Sequence, residues 1–171
     1  VRTHYPATRE LELSIVQQEA QIPGADGVDV SVPSFMEEIV GEITFQARCS
    51  PDVSQLSGVS VRMTVSNYET LAASALRRAL RLGEDEAVPR VSDLESLLTS
   101  TTGKLELEYA GADQEEGEVV EGIVRRAVRA VFDEQVPLEG IATVVEAFDQ
   151  GWNVEVGAAM RSGEYLDGLD E

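Results

Sequence analysis

Arg62 is the residue whose type and setting most invite chemistry. It follows the run Leu56-Ser57-Gly58-Val59-Ser60-Val61 and sits one turn into a long helical pattern. A guanidinium held at a fixed angle by a helix offers a planar fork of donors, a shape suited to phosphate oxygens. The competing role is an exposed helix arginine paired with a nearby carboxylate, which an acidic chain supplies in abundance. Arg77, Arg78 and Arg81 lie at the end of the same helix, where cations complement the helix dipole. Arg125, Arg126 and Arg129 face the acids around Glu115 to Glu121. Both clusters read as solvated or ion-paired faces, with a subunit contact as the minor option. Glu37/Glu38 and Glu115/Glu116 are carboxylate pairs, but no Asp-x-Asp-x-Asp-Gly calcium loop is present.

The other reactive side chains come singly. One cysteine, Cys49, excludes an intrachain disulfide and any cysteine-cluster zinc site. One histidine, His4, excludes multi-histidine metal sites and argues against a Ser-His-Asp triad. His4 is expected to end a strand and Cys49 to pack at a helix end. Trp152 and Tyr165 are expected in core or cap roles, ahead of anchoring a partner. No Gly-x-x-x-x-Gly-Lys-Ser/Thr, Gly-x-Gly-x-x-Gly or Gly-x-Ser-x-Gly motif occurs. No catalytic centre is therefore expected within the chain itself.

The elements that must position Arg62 follow from periodicity. Residues 1–6 read as the end of a strand. Thr8, with Glu10 and Glu12 behind it, starts a helix over Leu11, Ile15, Val16 and Ala20. Val28 to Val32 is a short extended segment. Ser34 with Glu37 resembles a capping box, opening a second helix over Phe35, Met36, Ile39, Val40, Ile43 and Ala47. The third helix runs from about Ser60 to Leu82, with Met63, Leu71, Ala72, Ala75, Leu76, Ala79 and Leu80 inward, and Gly83 ends it. Ser92 is expected to cap a fourth helix over Leu94, Leu97 and Leu98. Lys104 to Tyr109 alternates like a strand or extended edge, and Gly111 to Gly117 is an acidic loop. A fifth helix covers Val120, Ile123, Val124, Ala127, Val131 and Phe132 up to Pro137. A sixth spans Leu138 to Phe148 and closes at Gly151. Asn153 to Val156 reads as extended, and 158–169 as a glycine-interrupted helix. The fold class is mainly α, with short strands.

The 171 residues carry 32 Asp+Glu against 13 Lys+Arg, a formal charge of −19, with 43% apolar content. Such a field repels phosphate and anionic headgroups, so neither nucleic acid nor membrane is expected as a partner. The apolar fraction suffices for a core, so the charge does not signal disorder. Residues 104–171 hold 17 acids and 5 bases, whereas 1–103 hold 15 and 8, so the C-terminal part is the more anionic. Twelve of the 13 basic residues are Arg, a bias read as nucleotide composition. No transmembrane run or signal segment is visible, and the chain starts at Val1. A cytoplasmic piece of a longer protein is the expectation.

Three stretches together resemble a known family: Gln46-Ala47-Arg48-Cys49-Ser50-Pro51-Asp52, then Leu56 through Met63, then the helix end Ala75-Leu76-Arg77-Arg78-Ala79-Leu80. The pattern is similar to the C-terminal part of AAA+ ATPases of the magnesium chelatase ATPase-subunit and MoxR group, including the chelatase-like proteins labelled sigma-54-interacting. The resemblance covers roughly residues 1–101. It implies that 1–57 holds the end of the core strand and the core-to-lid helices, and 58–103 a helical lid. Residues 104–171 form an acidic C-terminal extension with no matching family element. It also implies that Arg62 is a sensor-2-like nucleotide-binding residue that contacts the γ-phosphate in its own subunit or a neighbouring one. Arg2 lies near the family's arginine finger but matches no fixed motif position. ATP and Mg2+ are implied for the parent protein, and none for this chain alone, because the Walker segments are not in it. The implied partners are other subunits of the same ring and a protein substrate or chelatase partner subunit. The implied work is ATP-driven remodelling of a partner or metal insertion. The rival expectation is an acidic helical interaction module without a nucleotide role, binding a basic partner through 104–171.

Overall fold

A computed structural model describes residues 4–108, 116–157 and 159–167. The start of the expected strand, Arg2, Tyr109, the acidic stretch from Gly111 to Glu115, and the end of the last helix lie outside these residues. The protein is mainly helical, as the periodicity implies. Helix α1 (Arg9–Glu19) begins at Thr8, whose hydroxyl accepts from the Leu11 amide at 3.2 Å, with Glu10 and Glu12 in its first turn. Helix α2 (Ser34–Cys49) crosses it closely. A Cβ on Gly41 would lie 3.1 Å from the Arg9 Cγ and 3.3 Å from a Leu13 methyl, so the absence of a side chain there sets the approach.

Helix α3 (Val61–Leu82) is the longest described element and spans about 33 Å. The Ser60 hydroxyl caps its start and Gly83, at φ 67°, ends it in the left-handed region. Strand β1 (Asp29–Val30) pairs in parallel with β2 (Glu86–Ala87), Asp29 opposite Glu86 and Val30 opposite Ala87. This two-stranded clip packs over Ala75, Leu76 and Ala79 near the end of α3. A 3-10 helix (Val91–Ser96) then leads directly into α4 (Leu97–Thr101).

Helix α5 (Glu116–Gln135) lies along α2, the most extensive helix pair among the described elements. Val120, Ile123, Ala127 and Val131 join Met36, Ile39, Val40, Ile43, Met63, Leu71 and Leu97 in one core. The grouping of 104–171 as a single extension therefore divides in space. Its α5 completes the core, while α6 (Leu138–Asp149) packs extensively on no described element. Helix α7 (Ser162–Asp167) returns toward the β2 region, where the Ser162 amide donates to Glu84 at 2.6 Å.

Several local expectations are corrected. Ser34 is the first residue of α2 and not its cap. The flanking residue is Pro33, whose carbonyl accepts from the Met36 and Glu37 amides, and Glu37 instead accepts from the Tyr68 hydroxyl at 3.1 Å. Ser92 lies inside the 3-10 helix, where Arg90 and Asp93 supply the reciprocal cap. Of the two alternatives for Lys104 to Tyr109, Lys104 to Glu108 forms no regular strand but pairs as an edge. One bridge joins Leu107 to Val53, and two backbone bonds flank it. His4 to Pro6 form no strand. Phe35, Leu80 and Phe132 are exposed, not inward, because the buried stripes of α2, α3 and α5 are narrower than their apolar content. Cys49 ends α2 but is exposed.

The Tyr68–Glu37 bond gives one pH prediction. Burial, then the charge and hydrogen bond of Glu37, push the Tyr68 phenol up to about 12. A folded-state value above the unfolded one means that the native state binds the proton more tightly between pH 10 and 12. Stability from this group is complete below pH 10 and is lost as pH rises toward 12. Chemical denaturation across pH 9–12 should show a steeper decline for the natural protein than for Tyr68→Phe.

Candidate functional site

Arg62 occupies the first turn of α3 and is exposed. Its backbone N–H donates to the Ser60 cap at 3.2 Å. No ion pair to its guanidinium is formed among the described residues, despite the excess of acids. The expectation that any acidic protein pairs such an arginine locally is thus not what this surface shows. The two residues before it, Ser60 and Val61, line a groove of about 520 Å³ together with Tyr5, Leu11, Ile15 and Ser57, and Arg62 itself is not part of that lining. Its neighbourhood is apolar and uncovered: Leu11 is 49% exposed, and Leu56, at the tip of the preceding turn, is 96% exposed.

A buried polar network holds this turn in place. Glu12, on the inner face of α1, is 3% exposed. Its carboxylate accepts from Arg48 Nη1 at 2.5 Å and Nη2 at 3.0 Å, and from the Thr64 hydroxyl at 2.5 Å. Thr64 and Thr44 share a further hydroxyl bond at 2.8 Å. Arg48 Nε donates to the Val59 carbonyl at 3.0 Å, and the guanidinium lies over the Tyr5 ring, 4.4 Å from its centroid. The Tyr5 hydroxyl accepts from the Val59 amide at 2.9 Å. Gly58 has φ 67° and lies against that hydroxyl, which leaves no space for a Cβ. The network thus ties α1, α2 and the N-terminal segment to Val59 and Thr64, on either side of Arg62.

Glu12, Arg48, Thr64 and Tyr5 were not singled out by sequence. A signal existed for Glu12. It falls at the i−4 position from buried Val16 on an amphipathic helix, where an acid needs a partner. Nothing local points to Arg48 as that partner.

Arg77, Arg81, Arg126 and Arg161 are likewise exposed and form no ion pair among the described residues, whereas the arginines below fall into structural roles. Arg78 is 6% exposed and donates to Asp93 at 2.9 Å and to the Val88 carbonyl at 2.6 Å. Arg125 pairs with Glu121 and Arg129 with Asp133, each one turn along α5 on exposed side chains. Arg9 bridges Glu42 at 3.3 Å and Glu134 at 2.6 Å, and the hydrogen bond to Glu134 raises its pKa. Arg90 stacks over the Tyr165 ring, 4.6 Å from its centroid. Trp152 packs with Phe148, ring centroids 4.8 Å apart. Among the described residues no group of three His, Cys, Asp or Glu side chains could hold a metal, so the Glu37/Glu38 pair does not assemble into such a cluster. No described helix is long and apolar enough to cross a membrane. Comparison of the chain with protein families, curated proteins and solved structures finds no match.

Proposed function

We propose that this chain is the lid and C-terminal part of a ring-forming, cytoplasmic AAA+ ATPase similar to the magnesium chelatase ATPase subunits. The observation that carries the reading is Arg62: exposed, without a carboxylate partner among the described residues, and set on the first turn of α3, which the Ser60 hydroxyl caps. Uncovered apolar surface beside it supports the same reading, because a nucleotide-binding core domain would cover it.

The fit to nucleotide is partial and specific. An exposed guanidinium suits the terminal phosphate of ATP, as a donor strengthened when charge builds on the γ-phosphate oxygens. The Walker segments that the family uses for ATP and Mg2+ do not occur in this sequence, so this reading assigns the metal and the attacking water to other parts of the parent protein. Arg62 then contributes a charge-assisted hydrogen bond to the cleavage of the β–γ bond. The 33 Å helix behind it transmits the change to the rest of the lid. The output is mechanical work on a protein substrate or chelatase partner subunit, in concert with other subunits of the ring.

The test is steady-state ATP turnover by the protein of the complete reading frame, with and without Arg62→Ala, at matched oligomeric state. Loss of one such donor is expected to lower turnover about 10²-fold. Unchanged turnover would return Arg62 to the role of a surface charge. A reading frame with no phosphate-binding loop and no turnover would end the ATPase reading altogether.

A further inference from the structure

A groove of about 320 Å³ lies between the end of α3 and the 3-10 helix. Three guanidinium side chains of α3 line it: Arg77, Arg78 and Arg81. Arg77 and Arg81 are exposed and form no ion pair among the described residues. In a chain of 32 acids and 13 bases, two open guanidinium groups on one groove call for a reason. The helix dipole favours Arg81, which lies in the last turn of α3. That effect falls off within the turn and does not reach Arg77.

The nearby acids do not answer these two charges. Asp93 is fully engaged: Oδ1 accepts from the Ser74 hydroxyl at 3.2 Å, and Oδ2 from Arg78 at 2.9 Å and from the Arg90 amide at 2.8 Å. Glu84, outside the lining, lies 3.8 Å from Arg78 Nη1 and accepts from the Ser162 amide. Arg78 is thus the floor of the groove, its charge balanced by Asp93 and Glu84. It is 6% exposed, yet its Nε and Nη1 have no hydrogen-bond partner among the described residues. A buried guanidinium with N–H groups left over is short of acceptors. Glu95 is the other acid of the lining, and it is exposed and forms no ion pair among the described residues. On the solvent side, two positive charges face one negative.

What such a groove lacks is a small anion rich in acceptors. Arg77 and Arg81 stand one turn apart on α3 and offer two forks of donors from one wall. Ser92 adds an exposed hydroxyl from the facing wall. A phosphate group presents three strong acceptor oxygens and accepts from both directions, whereas a planar carboxylate presents two. The volume is at the low end for small-molecule sites, about 300–1,000 Å³. Fields are screened over about 8 Å at physiological ionic strength. The distant acids of the chain therefore weigh less on a bound anion than the two arginines beside it.

We propose that the groove between the end of α3 and the 3-10 helix binds the phosphate group of a small anion, held by Arg77 and Arg81. Arg78 forms the cationic floor, and Glu95 is the one local charge that opposes binding. Arg77 lies about 22 Å along α3 from Arg62. The groove shares no lining residue with the one beside Ser60 and Val61, so its test is independent of the ATPase reading.

Titration calorimetry of the 171-residue chain with inorganic phosphate is expected to show one saturable site. For so small a ligand, saturation is expected at about millimolar concentration. Arg77→Ala and Arg81→Ala should each weaken binding at least about tenfold, the scale of one hydrogen bond to a charged group. Glu95→Gln should tighten it, because the opposing charge is gone, and Arg62→Ala should leave it unchanged. All four side chains are exposed, so helical circular dichroism should be the same in every variant. Glycerol 3-phosphate should compete for the same site and acetate should not. A monoester that binds more tightly than inorganic phosphate makes a phosphate ester the ligand, and equal affinity makes it phosphate itself. No saturation by about 20 mM phosphate overturns the proposal. Binding that survives both arginine substitutions, that Glu95→Gln leaves unchanged, or that acetate displaces equally well overturns it too. Binding lost in Arg62→Ala alone would move the anion to the start of α3 and overturn it while supporting the ATPase reading.

Discussion

Glu12→Ala is expected to cost about 3–5 kcal/mol, the range for breaking one side of a buried ion pair. For a chain of this size that corresponds to a fall in Tm of about 6–20 °C, measurable by calorimetry. The cause is what is left behind. Arg48, with a side chain only 12% exposed, keeps the Val59 carbonyl and the Tyr5 ring but loses its two bonds to the carboxylate. Thr64 and Thr44, both fully buried, lose the acceptor that orders their hydroxyls. Replacing both charged partners, as Glu12→Leu with Arg48→Met, should recover most of the loss, because the desolvation penalty of two ions disappears with them. A single Glu12 variant within 1 kcal/mol of wild type would show that the network does not hold the turn before α3. Because Val59 and Thr64 flank Arg62, Glu12→Ala should also broaden the orientation of that arginine. If the ATPase reading holds, the variant should lose turnover at temperatures where it remains folded.

The contrast between Arg62 and Glu12 explains what was legible in the sequence. Arg62 is positioned by residues within four places of it: the Gly58 turn, the Ser60 cap and the start of a periodic apolar stripe. Such local signals survive in one dimension, as do Gly83 at the end of α3 and Pro137 between α5 and α6. Glu12 meets Arg48 across 36 residues and Thr64 across 52, and only the crossing of α1 over α2 and α3 brings them together. The errors have the same origin. Ser34 and Glu37 have capping-box spacing, but Pro33 already supplies the flanking carbonyl and Tyr68, from another helix, takes the carboxylate. The segment after Arg90 has helical apolar spacing, yet the Asp93 side chain bonds back to the Arg90 amide and to Arg78 and winds it tighter. Leu80 and Phe132 fit a helical stripe by spacing. Whether a neighbour covers them depends on the tertiary arrangement alone.

Ile123→Ala and Val145→Ala should separate the two halves of the C-terminal part. Both truncate an apolar residue of an amphipathic helix, and the sequence alone treats α5 and α6 as equivalent. Ile123 is fully buried in the core shared by α2, α3 and α4. Its truncation leaves a cavity that close-packed neighbours fill only in part, and a cost of about 2–5 kcal/mol is expected. Val145 is 51% exposed on a helix without extensive packing on the body. Its truncation should change unfolding free energy by no more than about 0.5 kcal/mol, measured by chemical denaturation. A large cost at Val145 in dilute solution would mean that α6 closes on its own molecule. A small cost at Ile123 would mean that α5 is an appendage, and the core around Met63, one residue from Arg62, would then have to be sustained by α2, α3 and α4 without it.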